Sequence, residues 1–319
     1  MKKIAVLTSG GDAPGMNAAI RAVVRYALYE QMEVYGIERG YAGLLEDKMA
    51  SMDMASVSNI IQRGGTMLKT ARCPEFATQE GVDKGAKILK NRGIEGLVVI
   101  GGDGSLRGAL DLTHAGIPAV GIPGTIDNDL AYTEFSLGFD TAVNTALDAI
   151  SKIRDTMNSH ERISIVEVMG RKCGDIALYA GINGGAEVII VPERKVTIDE
   201  LVFKFTQSRR SGKRSGIVVL AEGAGRAEDY AKALESTTDL TVRPTVLGHI
   251  QRGGSPTGTD RLLGTRCGAY AVKLLKAGTG GRIVGLKKGD IYDIDIDKGL
   301  ALKKVFNSEL YELANIISL

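Results

Sequence analysis

Tryptophan is absent from the 319-residue chain, and aromatic residues make up only 5% of it, so aliphatic side chains must build the core. Cysteine is scarce as well. Cys73, Cys173 and Cys267 are an odd number with no C-x-x-C pair, which argues against a disulfide framework or a zinc site and fits a reduced cytosol. No sign of charge dominates. Lys and Arg total 40 against 38 Asp and Glu, a net charge of +2, and no long basic tract appears. Nucleic acid is therefore not an expected partner, and any bound anion must be met by locally placed arginines. No stretch has the apolar length that a membrane span needs. The start, Met1-Lys2-Lys3-Ile4, runs into a strand-like segment with no apolar signal region. A soluble, cytoplasmic protein is the expectation.

What is abundant is glycine, at 41 residues, far above the roughly 7% of average usage. That excess implies many tight turns and places where backbone must come close to a ligand. The length allows one large α/β unit or two lobes of ordinary size. Short aliphatic runs recur at 4–8, 33–37, 96–100, 119–123, 163–168, 187–191, 216–221 and 282–286. Bounded by glycine, such runs predict buried parallel strands. Helical spacing lies between them. Met16, Ala19, Ile20, Val23, Ala27 and Leu28 make one apolar stripe, with Arg21 and Arg25 on the opposite face. Residues 141–157 make another, through Val143, Ala146, Leu147, Ile150 and Ile153. The alternation predicts an α/β fold with mostly parallel sheets and helices on both faces. No low-complexity segment or flexible linker marks a lobe boundary.

In such sheets, ligands bind beyond the carboxyl ends of the strands. Those ends here carry Gly10-Gly11-Asp12, Gly101 to Ser105, Gly124 to Asp129, Met169-Gly170-Arg171 and Glu222. Two readings stand for each: a phosphate and metal site, or turns and helix caps. Gathered together, the five ends favour the site. In Gly101-Gly102-Asp103-Gly104-Ser105, glycine lets backbone N–H groups face phosphate oxygens at a helix start. Asp103 is placed there to hold Mg²⁺, which usually takes one or two carboxylates plus substrate phosphates. No G-x-x-x-x-G-K-[ST] is present, so this is not a Walker-type kinase. Thr125-Ile126-Asp127-Asn128-Asp129 reads either as an Asx-rich turn or as a base for an acceptor alcohol with a second carboxylate beside it. Arg72, Arg162, Arg171, Arg243 and Arg252 lie in polar or Gly-rich loops, where each is either a solvated arginine or a phosphate ligand. His249 is either a structural histidine or a neutral donor to a sugar hydroxyl or phosphate.

LTSGGDAPGMN, TARCPEF, VVIGGDGS, GIPGTIDND, VMGRKCGD, LAEG and LGHIQRGGSP follow in order across nearly the whole chain. This set resembles the bacterial ATP-using 6-phosphofructokinases. The resemblance implies a phosphofructokinase-like homotetramer of two-lobed subunits. Residues 1–138 plus 251–301 would form the larger, ATP-binding lobe, and 139–250 plus 302–319 the smaller, fructose 6-phosphate lobe. ATP would meet Gly11, Tyr41, Arg72, Cys73, Gly102, Gly104, Ser105 and Gly108, with Asp103 on Mg²⁺. Asp127 would be the general base, with Thr125 and Asp129 nearby, and Arg171 would stabilise the transferring phosphoryl group. Met169, Gly170, Glu222, His249 and Arg252 would hold the sugar phosphate. Arg162 and Arg243 would reach in from a neighbouring subunit.

Two further expectations concern donor and control. Pyrophosphate-using relatives typically carry Asp where this chain has Gly104 and Lys where it has Gly124, so ATP is the expected donor. An effector site for ADP or phosphoenolpyruvate is implied at Arg21, Arg25, Arg154, Gly185, Glu187 and Lys213. Met54, Ser211 and Ser215 depart from the Arg, Lys and His usual there, so weak allosteric control is expected.

Overall fold

The structure, a computed structural model, describes residues 1–210, 212 and 215–318. Its strands are β1 (Lys3–Ser9), β2 (Glu33–Ile37), β3 (Met49–Met52), β4 (Gly96–Gly101), β5 (Ala119–Pro123), β6 (Ile163–Val168), β7 (Val188–Ile190), β8 (Gly216–Ala221), β9 (Val242–Val246), β10 (Arg282–Lys287) and β11 (Asp290–Asp295). The helices are α1 (Met16–Tyr29), α2 (Gly40–Leu45), α3 (Gln79–Asn91), α4 (Asp103–His114), α5 (Phe139–His160), α6 (Asp175–Asn183), α7 (Ile198–Arg210), α8 (Ala227–Thr237), α9 (Gly258–Lys276), α10 (Ile296–Ala301) and α11 (Ser308–Ile317). Among the described residues no helix is long and apolar enough to cross a membrane.

The chain divides into two compact units. The first comprises Met1–Ile126, Leu130–Thr141 and Arg252–Lys304, the second Asp127–Asp129, Ala142–Gln251 and Val305–Leu319. The first is built on a seven-stranded sheet in the order β11-β10-β5-β4-β1-β2-β3. Its central pairs are parallel, while β3 and β11 join antiparallel at the two edges. The β4 and β5 strands are buried along their whole length, as their unbroken aliphatic sequence requires. The second unit is built on a four-stranded parallel sheet, β7-β8-β6-β9. Each unit has its own aliphatic core, one around Leu97, Val99 and Leu106, the other around Ile165, Val218 and Leu220.

Sequence reading finds every strand with an unbroken apolar run and misses β3, β9 and β11. These edge strands are mostly exposed or half-buried, with a single buried residue each in β3 and β9, so their pairing is not written as a hydrophobic run. The α1 stripe packs as expected at Met16, Ala19, Ile20, Val23 and Ala27, and burial spreads further to Asn17, Ala18, Ala22 and Val24. The wider burial has a cause. Helix α9 lies against α1 through Gly264 and Gly268, where an added Cβ would stand 2.8 Å from the Gly15 carbonyl oxygen and 2.6 Å from that of Ala19.

Candidate active site

In the first unit, β5, β4 and β1 are adjacent and parallel, so their carboxyl ends open side by side. Strand order reverses between β4 and β1, with β2 on one side and β5 on the other, and that switch point is where open α/β sheets bind ligands. Glycine is required here by contact. A Cβ on Gly101 would lie 2.5 Å from the Ser9 carbonyl oxygen and 2.6 Å from Ser105 Oγ, and Gly10 has φ 85°. Gly104 is different, because a Cβ there meets no atom within 4 Å. Its lack of a side chain leaves space open at the first turn of α4. Asp103 begins that helix, and Arg107 Nε and Nη2 donate to its carboxylate at 2.9 and 3.0 Å. This pair holds the Arg107 guanidinium above its ordinary value.

Tyr41 is buried beneath α4. Its hydroxyl donates to the Ser105 carbonyl at 2.6 Å, its ring stacks on Phe76 at 4.0 Å between centroids, and a Cβ on Gly108 would strike it. Burial pushes the Tyr41 hydroxyl well above its usual value. Arg72 is exposed and Cys73 half-buried, just before the short 3-10 turn Pro74–Ala77. The Arg252 guanidinium lies over Gly11, 2.6 Å from where a Cβ would be. Thr125 follows β5 half-buried, and its carbonyl accepts from Ser136 Oγ at 2.6 Å.

In the second unit, Asp127 and Asp129 face one arginine. Arg171 Nε is 3.8 Å from Asp127 Oδ2, and its Nη1 is 3.8 Å from Asp129 Oδ2. The Asp127 side chain is 3% exposed and that of Arg171 68%. Arg171 itself sits at φ 55° after Gly170 at φ 134°, and its N–H donates to Glu222 Oε1 at 2.8 Å. The loops after β6 and β8 are thereby joined, as expected for neighbouring parallel strands. Met169 is buried, and its N–H donates to Gln251 Oε1 at 3.2 Å. His249 is exposed in the 3-10 turn Gly248–Arg252, Arg243 is exposed beside Glu235, and Arg162 is half-buried just before β6.

Of the effector candidates, Arg154 Nη2 donates to the carbonyls of Gly184 and Gly185, both at 2.7 Å, and the guanidinium lies 3.9 Å from the buried Glu187 carboxylate. Arg21 and Arg25 are half-buried on α1, and Met54 is exposed. Lys213, with Ser211 and Arg214, lies outside the described residues. Sequence reading did not single out Arg107, Asn128, Asp175, Gln251 or Asp260. Asn128, Asp175 and Gln251 lie inside motifs it quoted, but their contacts are long-range and leave no local pattern.

Among the described residues no group of three or more His, Cys, Asp or Glu side chains could hold a metal ion. A lone carboxylate at a Gly-rich helix start fits an ion that brings phosphate oxygens and water as its other ligands.

Glycine-rich strand ends in one α/β unit, and a carboxylate pair facing an arginine in another, define a phosphate-handling α/β enzyme. The phosphofructokinase family model matches residues 3–275. Over 319 residues, all of both chains, the sequence is 59% identical to an ATP-dependent 6-phosphofructokinase of Clostridioides difficile (strain 630). The solved phosphofructokinase of Saccharomyces cerevisiae superposes with a TM-score of 0.92 at 35% identity, over 98% of this chain and 50% of that one. A pyrophosphate-dependent phosphofructokinase from Marinobacter aquaeolei superposes at 0.86 with 22% identity, over 97% of this chain and 86% of that one, a likeness of fold alone. The chain belongs to the phosphofructokinase family, and it is a kinase. The resemblance in the motifs and the expected α/β fold are borne out.

Proposed function

We propose that the chain transfers the γ-phosphoryl group of ATP to the C1 hydroxyl of fructose 6-phosphate, giving fructose 1,6-bisphosphate and ADP as a step of glycolysis. The observation that carries this reading is the buried Asp127 carboxylate facing the Arg171 guanidinium at 3.8 Å. A carboxylate so placed takes the proton of the C1 hydroxyl as its oxygen bonds to phosphorus and the bond from phosphorus to the ADP oxygen breaks. The exposed guanidinium of Arg171 balances charge on the moving group, where fixed donors lower the barrier most. Thr125 and Asp129 position the acceptor. Met169, Gly170, Glu222, His249 and Arg252 bind the sugar phosphate, and Arg162 and Arg243 do so from a neighbouring subunit of a homotetramer.

The nucleotide belongs to Gly11, Tyr41, Arg72, Cys73, Gly102, Gly104, Ser105 and Gly108. Tyr41 acts there as a buried support, since its hydroxyl already bonds to Ser105. Residues 1–138 plus 251–301 take the ATP role, and 139–250 plus 302–319 the sugar-phosphate role. Asp103 would hold Mg²⁺, which, when bound with ATP, draws charge from the phosphate oxygens. The exposed pair of Asp103 with Arg107 is worth only about 0.3–0.5 kcal/mol, too little to keep the carboxylate from a divalent ion. Cys73, Cys173 and Cys267 stand as thiols outside any disulfide, which supports a reducing, cytoplasmic setting.

Pyrophosphate is the competing donor. The open space at Gly104 favours ATP, because an acidic side chain there would crowd and repel the α-phosphate. Gly124 agrees, since even a Cβ would come 2.9 Å from the Met16 methyl. Fructose 1,6-bisphosphate formation should be measured with each donor, for the wild type and for Asp127→Ser. ATP should support turnover and pyrophosphate should not. The variant should lose roughly 10²–10⁴-fold in kcat with little change in KM for the sugar. Faster turnover with pyrophosphate would reverse the donor assignment, and near-wild-type turnover of the variant would remove Asp127 as base.

A further inference from the structure

Between Asp127 and Asp129 stands a residue that faces away from the solvent. Asn128 is 1% exposed and holds φ 52°, in the left-handed region. Its Nδ2 donates to Asp175 Oδ2 at 2.8 Å. Asp175 is the first residue of α6 and is 6% exposed, a position where the helix dipole favours its negative charge. The Asn128 carbonyl in turn accepts a weak hydrogen bond from Cys173 Sγ at 3.8 Å. The two acids of the Asp-Asn-Asp run thus point one way and the asparagine another, into the start of α6.

What gives the contact its meaning is where Asp175 comes from. It closes the turn that opens with Met169, Gly170 and Arg171. That turn is tight: the Cys173 N–H donates to the Gly170 carbonyl at 2.9 Å, and a Cβ on Gly170 would lie 2.4 Å from the Cys173 carbonyl oxygen. The same short turn therefore carries Arg171 at one end and the partner of Asn128 at the other. Arg171 is long, exposed and only 3.8 Å from each carboxylate, too far for direct hydrogen bonds to fix it. The buried bond from Asn128 to Asp175, at 2.8 Å, ties the two loops directly.

We propose that Asn128 and Asp175 are positioning residues, and that their bond sets the separation of the Asp127 carboxylate from the Arg171 guanidinium. The inference rests on the roles given to those two residues above. Neither positioning side chain touches the reacting atoms. Their effect is on the alignment of two groups that must meet the same phosphoryl transfer, where a displacement of about 1 Å costs on the order of 10²-fold.

The test is a set of variants assayed with saturating ATP and varied fructose 6-phosphate, with thermal unfolding in parallel. Asn128→Gly keeps the left-handed backbone and removes the side-chain bond. Asp175→Ala removes its acceptor, and Asp175→Asn keeps an acceptor oxygen without the charge. Asn128→Gly and Asp175→Ala should each lower kcat by roughly 10–10²-fold while KM for either substrate moves less than about threefold. Asp175→Asn should recover to within about fivefold of the wild type, and the double variant Asn128→Gly/Asp175→Ala should be no slower than the worse single, because one bond is lost once. The inference is overturned if Asn128→Gly keeps wild-type kcat, if the two losses multiply in the double variant, or if Asp175→Asn is as slow as Asp175→Ala. If Asp175→Ala does not fold, Asn128→Gly and Asp175→Asn still decide the matter. Asp127→Ser run alongside separates the two levels. A dead Asp127→Ser with a fast Asn128→Gly refutes the positioning role alone, whereas a fast Asp127→Ser refutes the base and the positioning with it.

Discussion

Asp103 and Arg107 lie one helical turn apart, and the two hydrogen bonds between them are formed at a solvent-exposed helix start. Water competes with such a pair, so its removal hardly affects folding. The same carboxylate beside Mg²⁺ and nucleotide phosphates would matter far more, because its partner carries two charges. Asp103→Ala should therefore fold normally and need roughly tenfold more Mg²⁺ for half-maximal rate. Titration of initial rate with Mg²⁺ at fixed ATP checks this, and an unaltered Mg²⁺ dependence would leave Asp103 as a turn residue only. At the same scale, the motif around Thr125 to Asp129 was readable as chemistry or as an Asx turn. The Asn128 backbone holds φ 52° and its side chain reaches Asp175, while the carboxylates on either side face Arg171.

Helices α5 and α9 start against each other, and each supplies part of the other's cap. Thr257 caps α9 by accepting from the Asp260 N–H, and its hydroxyl donates to Asp140 in the first turn of α5. Asp260, in the first turn of α9, accepts from the N–H groups of Gly138 and Thr141, both at 2.9 Å, and from the Thr141 hydroxyl at 2.5 Å. Two sets of orphaned helix donors are met by one exchange. Asp260 is 1% exposed, and burial raises its carboxyl from 3.8 to about 6 against the opposing pull of those hydrogen bonds. Between these values the folded chain keeps a proton that the unfolded chain has released. Stability from this group is therefore present below about pH 4 and is lost as pH rises toward 6, a change of about 2–3 kcal/mol. Asp260→Asn cannot titrate, so the stability difference between wild type and variant should vary by about that amount across the window. Urea unfolding at pH 4.5, 5.5 and 6.5 measures it, and a difference constant with pH would show that Asp260 titrates normally.

At the scale of the whole molecule the open question is control. Effectors such as ADP or phosphoenolpyruvate are compact polyanions, and each charge-assisted hydrogen bond to them is worth about 1.5–3 kcal/mol. Met54 offers no donor and Ser215 no charge. Arg154 is already engaged with the Gly184 and Gly185 carbonyls. An effector shifts a two-state equilibrium only by its differential affinity for the two states. Fewer cationic contacts leave less to differ, and we expect binding weakened at least roughly tenfold relative to a full complement. Fructose 6-phosphate saturation with and without millimolar phosphoenolpyruvate tests this, with little shift expected. Strong inhibition at low micromolar phosphoenolpyruvate would overturn the reading of Met54, Ser211 and Ser215.

The sequence by itself determined the parallel core strands, because burial on both faces demands an unbroken aliphatic run, as in Gly96–Gly101 and Gly216–Ala221. It also determined the family, because its Gly-rich strand ends are local and continuous. Tertiary structure alone decided the rest. The edge strands β3, β9 and β11 are half-polar and take their pairing from a neighbour. The two compact units are each made of three separate segments, so no linker marks their limits. Asn128 meets Asp175 across 47 residues, and Asp260 meets Gly138 across 122. Periodicity records which face of an element is buried, but a hydrogen bond between distant segments leaves no trace in either one. Such contacts exist only once the strands beneath them have paired.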